Sequence, residues 1–151
     1  MLRQRLSDAL KDTLKTKDQI GVATVRLILA ALKDRDIAAR GKGNPDGISE
    51  DEILGLLQSM IKQRQESIVL YEKGGRLELA EQEKGEIAVI ERFLPKQMGE
   101  AEMAKAVREA ISESGAQTLK DMGKIMAALK GRYAGQMDFA KASALVKQAL
   151  A

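Results

Sequence analysis

Apolar residues recur at every third or fourth position through almost the whole chain, which is the spacing of one face of an α-helix. The first stretch is the clearest, with Leu2, Leu6, Leu10 and Leu14 one helical turn apart. Leu, Ile, Val, Ala and Met supply nearly all the apolar residues, and only four residues are aromatic, a composition that favours helix over sheet. No segment alternates between apolar and polar residues with comparable strength. The sequence therefore predicts an all-α fold.

Breaking residues divide this periodic pattern into seven helices. The loop 40–47 is rich in Gly, Asn, Pro and Asp; Ser49 with Glu52 forms a capping box; and Gly74 and Gly75 follow the third helix. Pro95 excludes helix at the residue before it and marks the best domain boundary. We predict a four-helix N-terminal domain over 1–95 and a three-helix C-terminal bundle over 96–151. The predicted helices of the first domain cover 2–16, 18–39, 49–73 and 76–92, and those of the second begin near 100, 118 and 138.

The chain contains no Cys and no His, which removes thiolate chemistry, the usual general base and the commonest metal ligand. No catalytic motif surrounds its Ser residues, and we predict no catalytic residue, cofactor or metal site. The longest apolar run, Leu27 to Leu32, is six residues, far short of the roughly 20 that a membrane span needs. With no signal segment apparent, we expect a cytoplasmic protein that does not enter a membrane.

Three charged residues occupy positions where the helical spacing calls for apolar ones. Arg26, Arg64 and Glu83 are each flanked at three or four residues by Leu, Ile, Val or Met. One interpretation is a partly buried Arg-Glu-Arg cluster joining the second, third and fourth helices, because an unpaired buried charge is too costly to persist. The alternatives are that these side chains reach water from the edges of the apolar stripes, or that the two Arg bind an anionic substrate.

Charge is distributed unevenly along the chain. Residues 49–95 carry six Lys or Arg against ten Asp or Glu, whereas residues 118–151 carry six against two. The C-terminal excess includes a basic edge, which we define by the residues Lys120, Lys124, Lys130, Gly131 and Arg132. This edge could contact phosphates, or it could be a solvated face whose cations are stabilised by the end of a helix.

Several segments, in order along nearly the whole chain, resemble the motifs of the GatB/YqeY family. They are Thr24-Val25-Arg26-Leu27, Ile61-Lys62-Gln63-Arg64-Gln65-Glu66-Ser67-Ile68, Glu83 with Glu86-Ile87, Phe93-Leu94-Pro95-Lys96-Gln97 and Lys120-Asp121-Met122-Gly123-Lys124-Ile125-Met126. The resemblance implies an all-helical protein with four helices followed by three. It also implies a likeness to the C-terminal tail of the B subunit of the glutamine-dependent amidotransferase that acts on Glu-tRNA(Gln) or Asp-tRNA(Asn).

In that enzyme the tail contacts tRNA, and the catalytic sites lie elsewhere. The resemblance therefore implies a noncatalytic module that binds tRNA or associates with an amidotransferase or an aminoacyl-tRNA-related protein. The family would carry the label carbon–nitrogen ligase with glutamine as amide donor, but this activity belongs to the amidotransferase complex and is not assigned to this chain. The residues that match the tail's pattern are Gly123, Lys124, Met126, Lys130, Gly131 and Arg132, but 135–139 lack the cation and turn glycine often found there. Two alternatives are a stand-alone glutamine-using enzyme and a protein-interaction adaptor that binds no RNA.

Overall fold

The computed structural model describes residues 1–151 and contains seven α-helices and no β-strand. The helices are α1 (Leu2–Thr16), α2 (Gln19–Gly41), α3 (Glu50–Lys73), α4 (Leu77–Glu91), α5 (Glu100–Ser114), α6 (Met122–Tyr133) and α7 (Phe139–Leu150). A 3-10 turn over Leu119–Asp121 precedes α6. The predicted all-α fold is confirmed.

The chain divides into two compact units, residues 1–95 and residues 96–151. In the first unit α2 packs against α1 and α4, and α3 packs against α4. Twelve apolar side chains form its core: Leu2, Leu6, Val25, Ile28, Leu32, Ile53, Leu56, Leu57, Met60, Val89, Ile90 and Phe93. In the second unit α5, α6 and α7 pack around a separate core that includes Val107, Ile125, Leu129, Met137 and Val146.

The tight connection between α1 and α2 is set by local chemistry. Lys17 ends α1 in the left-handed conformation, with φ of 58°. The Asp18 carboxylate then accepts a hydrogen bond from the Gly21 amide at 3.0 Å, which caps α2. A Cβ at Gly21 would lie 2.8 Å from a methyl carbon of Thr13, so only glycine allows the two helices to approach this closely. This connection fixes the position of the first turn of α2.

The loop between α2 and α3 is held by a buried carboxylate. The Asp36 side chain accepts hydrogen bonds from the Arg3 guanidinium and from the Ile48 amide. Arg3 also donates to the Ile48 carbonyl at 2.8 Å. The pKa of Asp36 falls to about 2, mainly because of the hydrogen bond from Arg3. This contact joins α1, α2 and the start of α3 in the first unit.

Candidate functional site

Two open grooves adjoin on the exposed side of the first half of α2, one toward α4 and one toward α1. The α2–α4 groove has a volume of about 460 Å³ and is lined by Gln19, Ile20, Ala23, Glu78, Glu81, Gln82 and Glu86. The α1–α2 groove has a volume of about 440 Å³ and is lined by Leu14, Lys17, Gln19, Val22, Ala23 and Arg26. Because both grooves contain Gln19 and Ala23, they form one continuous surface across α2.

An apolar stripe runs along the outside of α2 between the grooves and beyond them. We call it the α2 ridge and define it by Ile20, Ala23, Leu27, Ala30 and Ile37, all of which are exposed. Ile20, Leu27 and Ile37 leave 47%, 50% and 55% of their surface exposed. Their spacing of three, four or seven residues places them on one side of the helix, over a length of about 25 Å at 1.5 Å per residue. The ridge is unbroken from Ile20 to Ala30, and the exposed Asp34 separates this part from Ile37.

Packing explains why this stripe is left uncovered. The opposite side of α2 buries Val25, Ile28 and Leu32 in the core. At the ridge, Gly85 of α4 lies beneath Ile20, where a Cβ would be 3.6 Å from the Ile20 Cδ1 atom. The Ile20 side chain thus lies over this glycine, and Ile20 and Ala23 form the α2 side of the α2–α4 groove.

The ridge was missed in the sequence prediction, which named no exposed apolar surface on α2. Apolar residues in fact occur all round this helix, a pattern that indicates either complete burial or a second contact surface. The apolar Ile20, Leu27 and Ile37 were the available signal.

The two sides of the ridge differ in charge. Glu78, Glu81 and Glu86 line the α2–α4 groove, which has no cation among its lining residues. Lys17 and Arg26 line the α1–α2 groove, which has no carboxylate among its lining residues. The ridge thus separates an acidic groove from a basic one.

An ionic cluster lies behind the acidic groove. The Arg64 Nε donates a hydrogen bond to Glu86 at 2.9 Å and lies 3.7 Å from Glu83, and all three side chains are largely buried. Arg64 also donates to the Met60 carbonyl at 3.2 Å. Burial, together with the neighbouring Glu86, raises the pKa of the Glu83 carboxyl. One guanidinium therefore serves two carboxylates.

The structure corrects the membership of this predicted cluster. Arg64 and Glu83 do meet, but Arg26 is exposed and lines the α1–α2 groove instead. Arg26 lies at the edge of the stripe that α2 buries, on the side that faces α1, and its long stem carries the charge into water. The third member of the cluster is a carboxylate and not a second arginine: Glu86, which the sequence prediction left out, pairs with Arg64. An anion site built from Arg26 and Arg64 is consequently not formed.

The predicted basic edge lies on the second unit. Lys120, Lys124, Lys130, Gly131 and Arg132 are all exposed. Arg132, however, donates a hydrogen bond to Glu113 of α5 at 2.5 Å. The pKa of the Asp121 carboxyl is lowered mainly by a hydrogen bond from the Gln117 amide, and the nearby Lys124 contributes to this lowering. Neighbouring carboxylates thus offset part of the positive charge of this edge.

The fold and these grooves define an all-helical protein of two units that exposes an apolar ridge. The sequence pattern of the Yqey-like protein family matches residues 3–150, and the chain belongs to this family. The predicted resemblance to the GatB/YqeY family is thereby confirmed.

Curated relatives include the yeast proteins named "Altered inheritance of mitochondria protein 41, mitochondrial". The protein of Lachancea thermotolerans is 33% identical over 89 residues, which cover 59% of this chain and 46% of the relative. The protein of Kluyveromyces lactis is 26% identical over 117 residues, which cover 78% of this chain and 58% of the relative. The chain thus spans about half the length of the curated relatives it matches.

These relatives correct two predictions. Their name refers to the inheritance of mitochondria and mentions neither tRNA nor an amidotransferase, so the predicted tRNA-binding or amidotransferase-associated function is wrong. They are also named as mitochondrial proteins, so the predicted cytoplasmic location is wrong. No helix combines the length and the apolar character required to cross a membrane.

Proposed function

We propose that this chain is a protein-binding module whose first unit holds an amphipathic helix of a partner protein against the α2 ridge. The observation that carries the proposal is the exposure of Ile20, Leu27 and Ile37, each about half exposed, along one side of a single helix. Isolated exposed apolar residues are ordinary, but a contiguous apolar surface with a polar rim is typical of interaction sites.

A helix is the occupant that the shape of this surface favours. The unbroken part of the ridge, from Ile20 to Ala30, is about 15 Å long, which corresponds to roughly 10 residues of a partner helix at 1.5 Å per residue. The grooves on both sides could take the side chains that flank a partner's apolar stripe, as in other complexes where an amphipathic helix lies in an apolar groove.

A peptide with uncharged flanks would test the apolar part of this proposal. The probe is a fluorescent helical peptide of roughly 18 residues, with Leu at helical spacing and Gln elsewhere. We expect measurable binding by fluorescence anisotropy, and a loss of about tenfold in affinity for Ile20→Gln or Leu27→Gln, because each change removes part of a buried aliphatic side chain.

Leu70→Gln provides the matched control. Leu70 is 68% exposed on α3, outside both grooves. The proposal requires this variant to bind as the unmodified protein does. Equal losses at Leu27 and Leu70, or no binding at any accessible peptide concentration, would rule it out.

We also propose that the four-helix part over 1–95 and the three-helix bundle over 96–151 are separate folding domains. Support comes from two distinct apolar cores, each formed by residues of one unit. The fragment 96–151 should then show a helical circular-dichroism spectrum and a cooperative thermal transition by itself. A fragment without such a transition would make the second unit dependent on the first.

A further inference from the structure

The opposite charges on the two sides of the α2 ridge indicate which charges a partner helix carries beside its apolar stripe. We propose that the partner helix carries cations along one flank of its apolar stripe and carboxylates along the other. This inference rests on the proposed function, because it requires that a helix occupies the ridge. Charge complementarity of this kind contributes mainly to the choice of partner.

On the α4 side, carboxylates outnumber the cations that pair with them. Arg64, Arg76 and Lys84 are the cations there, and they pair with five carboxylates: Glu72, Glu78, Glu81, Glu83 and Glu86. Two negative charges therefore remain in excess. The pairs of Glu78 and Glu81 are exposed, and exposed pairs of this kind are weak and readily exchanged. A cation of an incoming helix would meet this excess of negative charge.

On the α1 side, the two charged residues that line the groove are positive and make no ion pairs. Lys17 is held in place by the left-handed backbone that ends α1. Arg26 projects from α2 into the same groove. Neither residue takes part in a salt bridge, and the neighbouring Asp18 carboxylate is used to cap α2. A carboxylate on the opposite flank of the partner helix would supply the missing counter-charge.

Three peptides with the same apolar stripe distinguish this pattern from simple attraction by net charge. The first carries Lys on one flank and Glu on the other, the second carries Lys on both flanks, and the third carries Glu on both flanks. We expect the mixed peptide to bind the full chain about three- to tenfold more tightly than either of the others, as two or three exposed ion pairs allow. The difference should shrink at 1 M salt, where the screening length is only about 3 Å.

Charge reversal at one groove should change this preference. Arg26→Glu leaves Lys17 as the only cation lining the α1–α2 groove and sets a carboxylate beside it, so the mixed peptide should lose its advantage over the peptide with Lys on both flanks. Glu81→Lys should move the preference toward the peptide with Glu on both flanks. Arg35→Glu is the control, since Arg35 is exposed on the same helix but lines neither groove; it should leave the preference unchanged.

The outcomes separate this inference from the proposed function. Equal binding of the three peptides, with Leu27→Gln weakening all of them, would overturn the charge pattern and leave the helix-binding function in place. Binding of none of them, and of no uncharged peptide, would overturn both. Sedimentation velocity of the chain alone is a further test. A dimer that dissociates in the Leu27→Gln variant would show that a second copy of the chain occupies the ridge, and this would overturn the inference.

Discussion

The Asp36 carboxylate accepts a hydrogen bond from the backbone amide of Ile48 at 2.9 Å. Twelve residues separate the two, and the bond closes the loop between α2 and α3. Asp36 is 6% exposed, so its charge would be costly without its partners. Its contacts with Arg3 and Ile48 make the start of α3 continuous with α1 and α2 in the first unit.

Asp36 should make the stability of the first unit depend on pH in the acidic range. Its folded pKa of about 2 lies below the ordinary Asp value of about 3.9. The stabilisation is therefore present above pH 4 and is lost as the pH falls toward 2, and it amounts to about 2 to 3 kcal/mol. Urea unfolding at pH 7 and pH 3 detects about half of it, because pH 3 lies between the two pKa values, and Asp36→Asn should remove this part of the difference. A variant that keeps the full difference would assign it to other carboxylates.

Gly47 should tolerate alanine less well than Gly43. Both have positive φ, 80° and 91°, so alanine costs about 1 to 2 kcal/mol at either position from backbone strain. A Cβ at Gly47 would also lie 2.2 Å from an Asp36 oxygen, whereas nothing lies within 4 Å at Gly43. Gly47→Ala should cost about 2 kcal/mol more than Gly43→Ala, because hydrogen bonds of Asp36 must break. Equal costs in thermal or urea unfolding would mean that the loop shifts freely.

Thr24→Val should stabilise the protein. The Thr24 hydroxyl is fully buried and has no hydrogen-bond partner. Valine has nearly the same shape and removes the unsatisfied group, so the free energy of unfolding should rise by about 1 kcal/mol. Thr13→Val is the matched control, because the Thr13 hydroxyl donates to the Leu10 carbonyl at 3.0 Å. Thr13→Val should therefore lower the free energy of unfolding. An equally large loss for Thr24→Val would show that the Thr24 hydroxyl makes a hydrogen bond.

Glu83 and Glu86 should respond in opposite ways to replacement by glutamine. Glu86 accepts the hydrogen bond from Arg64 at 2.9 Å, so Glu86→Gln should destabilise by about 1 to 3 kcal/mol. Because the folded pKa of Glu83 is raised by burial and by Glu86, its ionisation opposes folding as the pH rises above the ordinary Glu value. Glu83→Gln should thus raise the free energy of unfolding at pH 7. Chemical unfolding at pH 4 and pH 7 checks this, and destabilisation by both variants would make Glu83 an equal partner of Arg64.

Local sequence determined most of the secondary structure. Ser49 and Glu52 form the predicted capping box at the start of α3. The ends of α1 and α3 also fall where the pattern placed them, at Thr16 and Lys73. These features depend on residues within one or two turns of each other, so the sequence alone contains the necessary information.

Tertiary packing decided which sides of those helices became surface. Arg26 and Arg64 occupy similar positions in their apolar patterns, but Arg64 faces two carboxylates of α4 and Arg26 faces solvent beside α1. Ile20 and Leu27 are as apolar as the core residues of α2, and they remain exposed because no neighbouring helix covers that side. Helical spacing defines the direction of each side chain relative to its own helix. Contacts between residues far apart in the chain decide which of those directions meets another helix. The acidic and basic grooves are separated only by this packing of the helices.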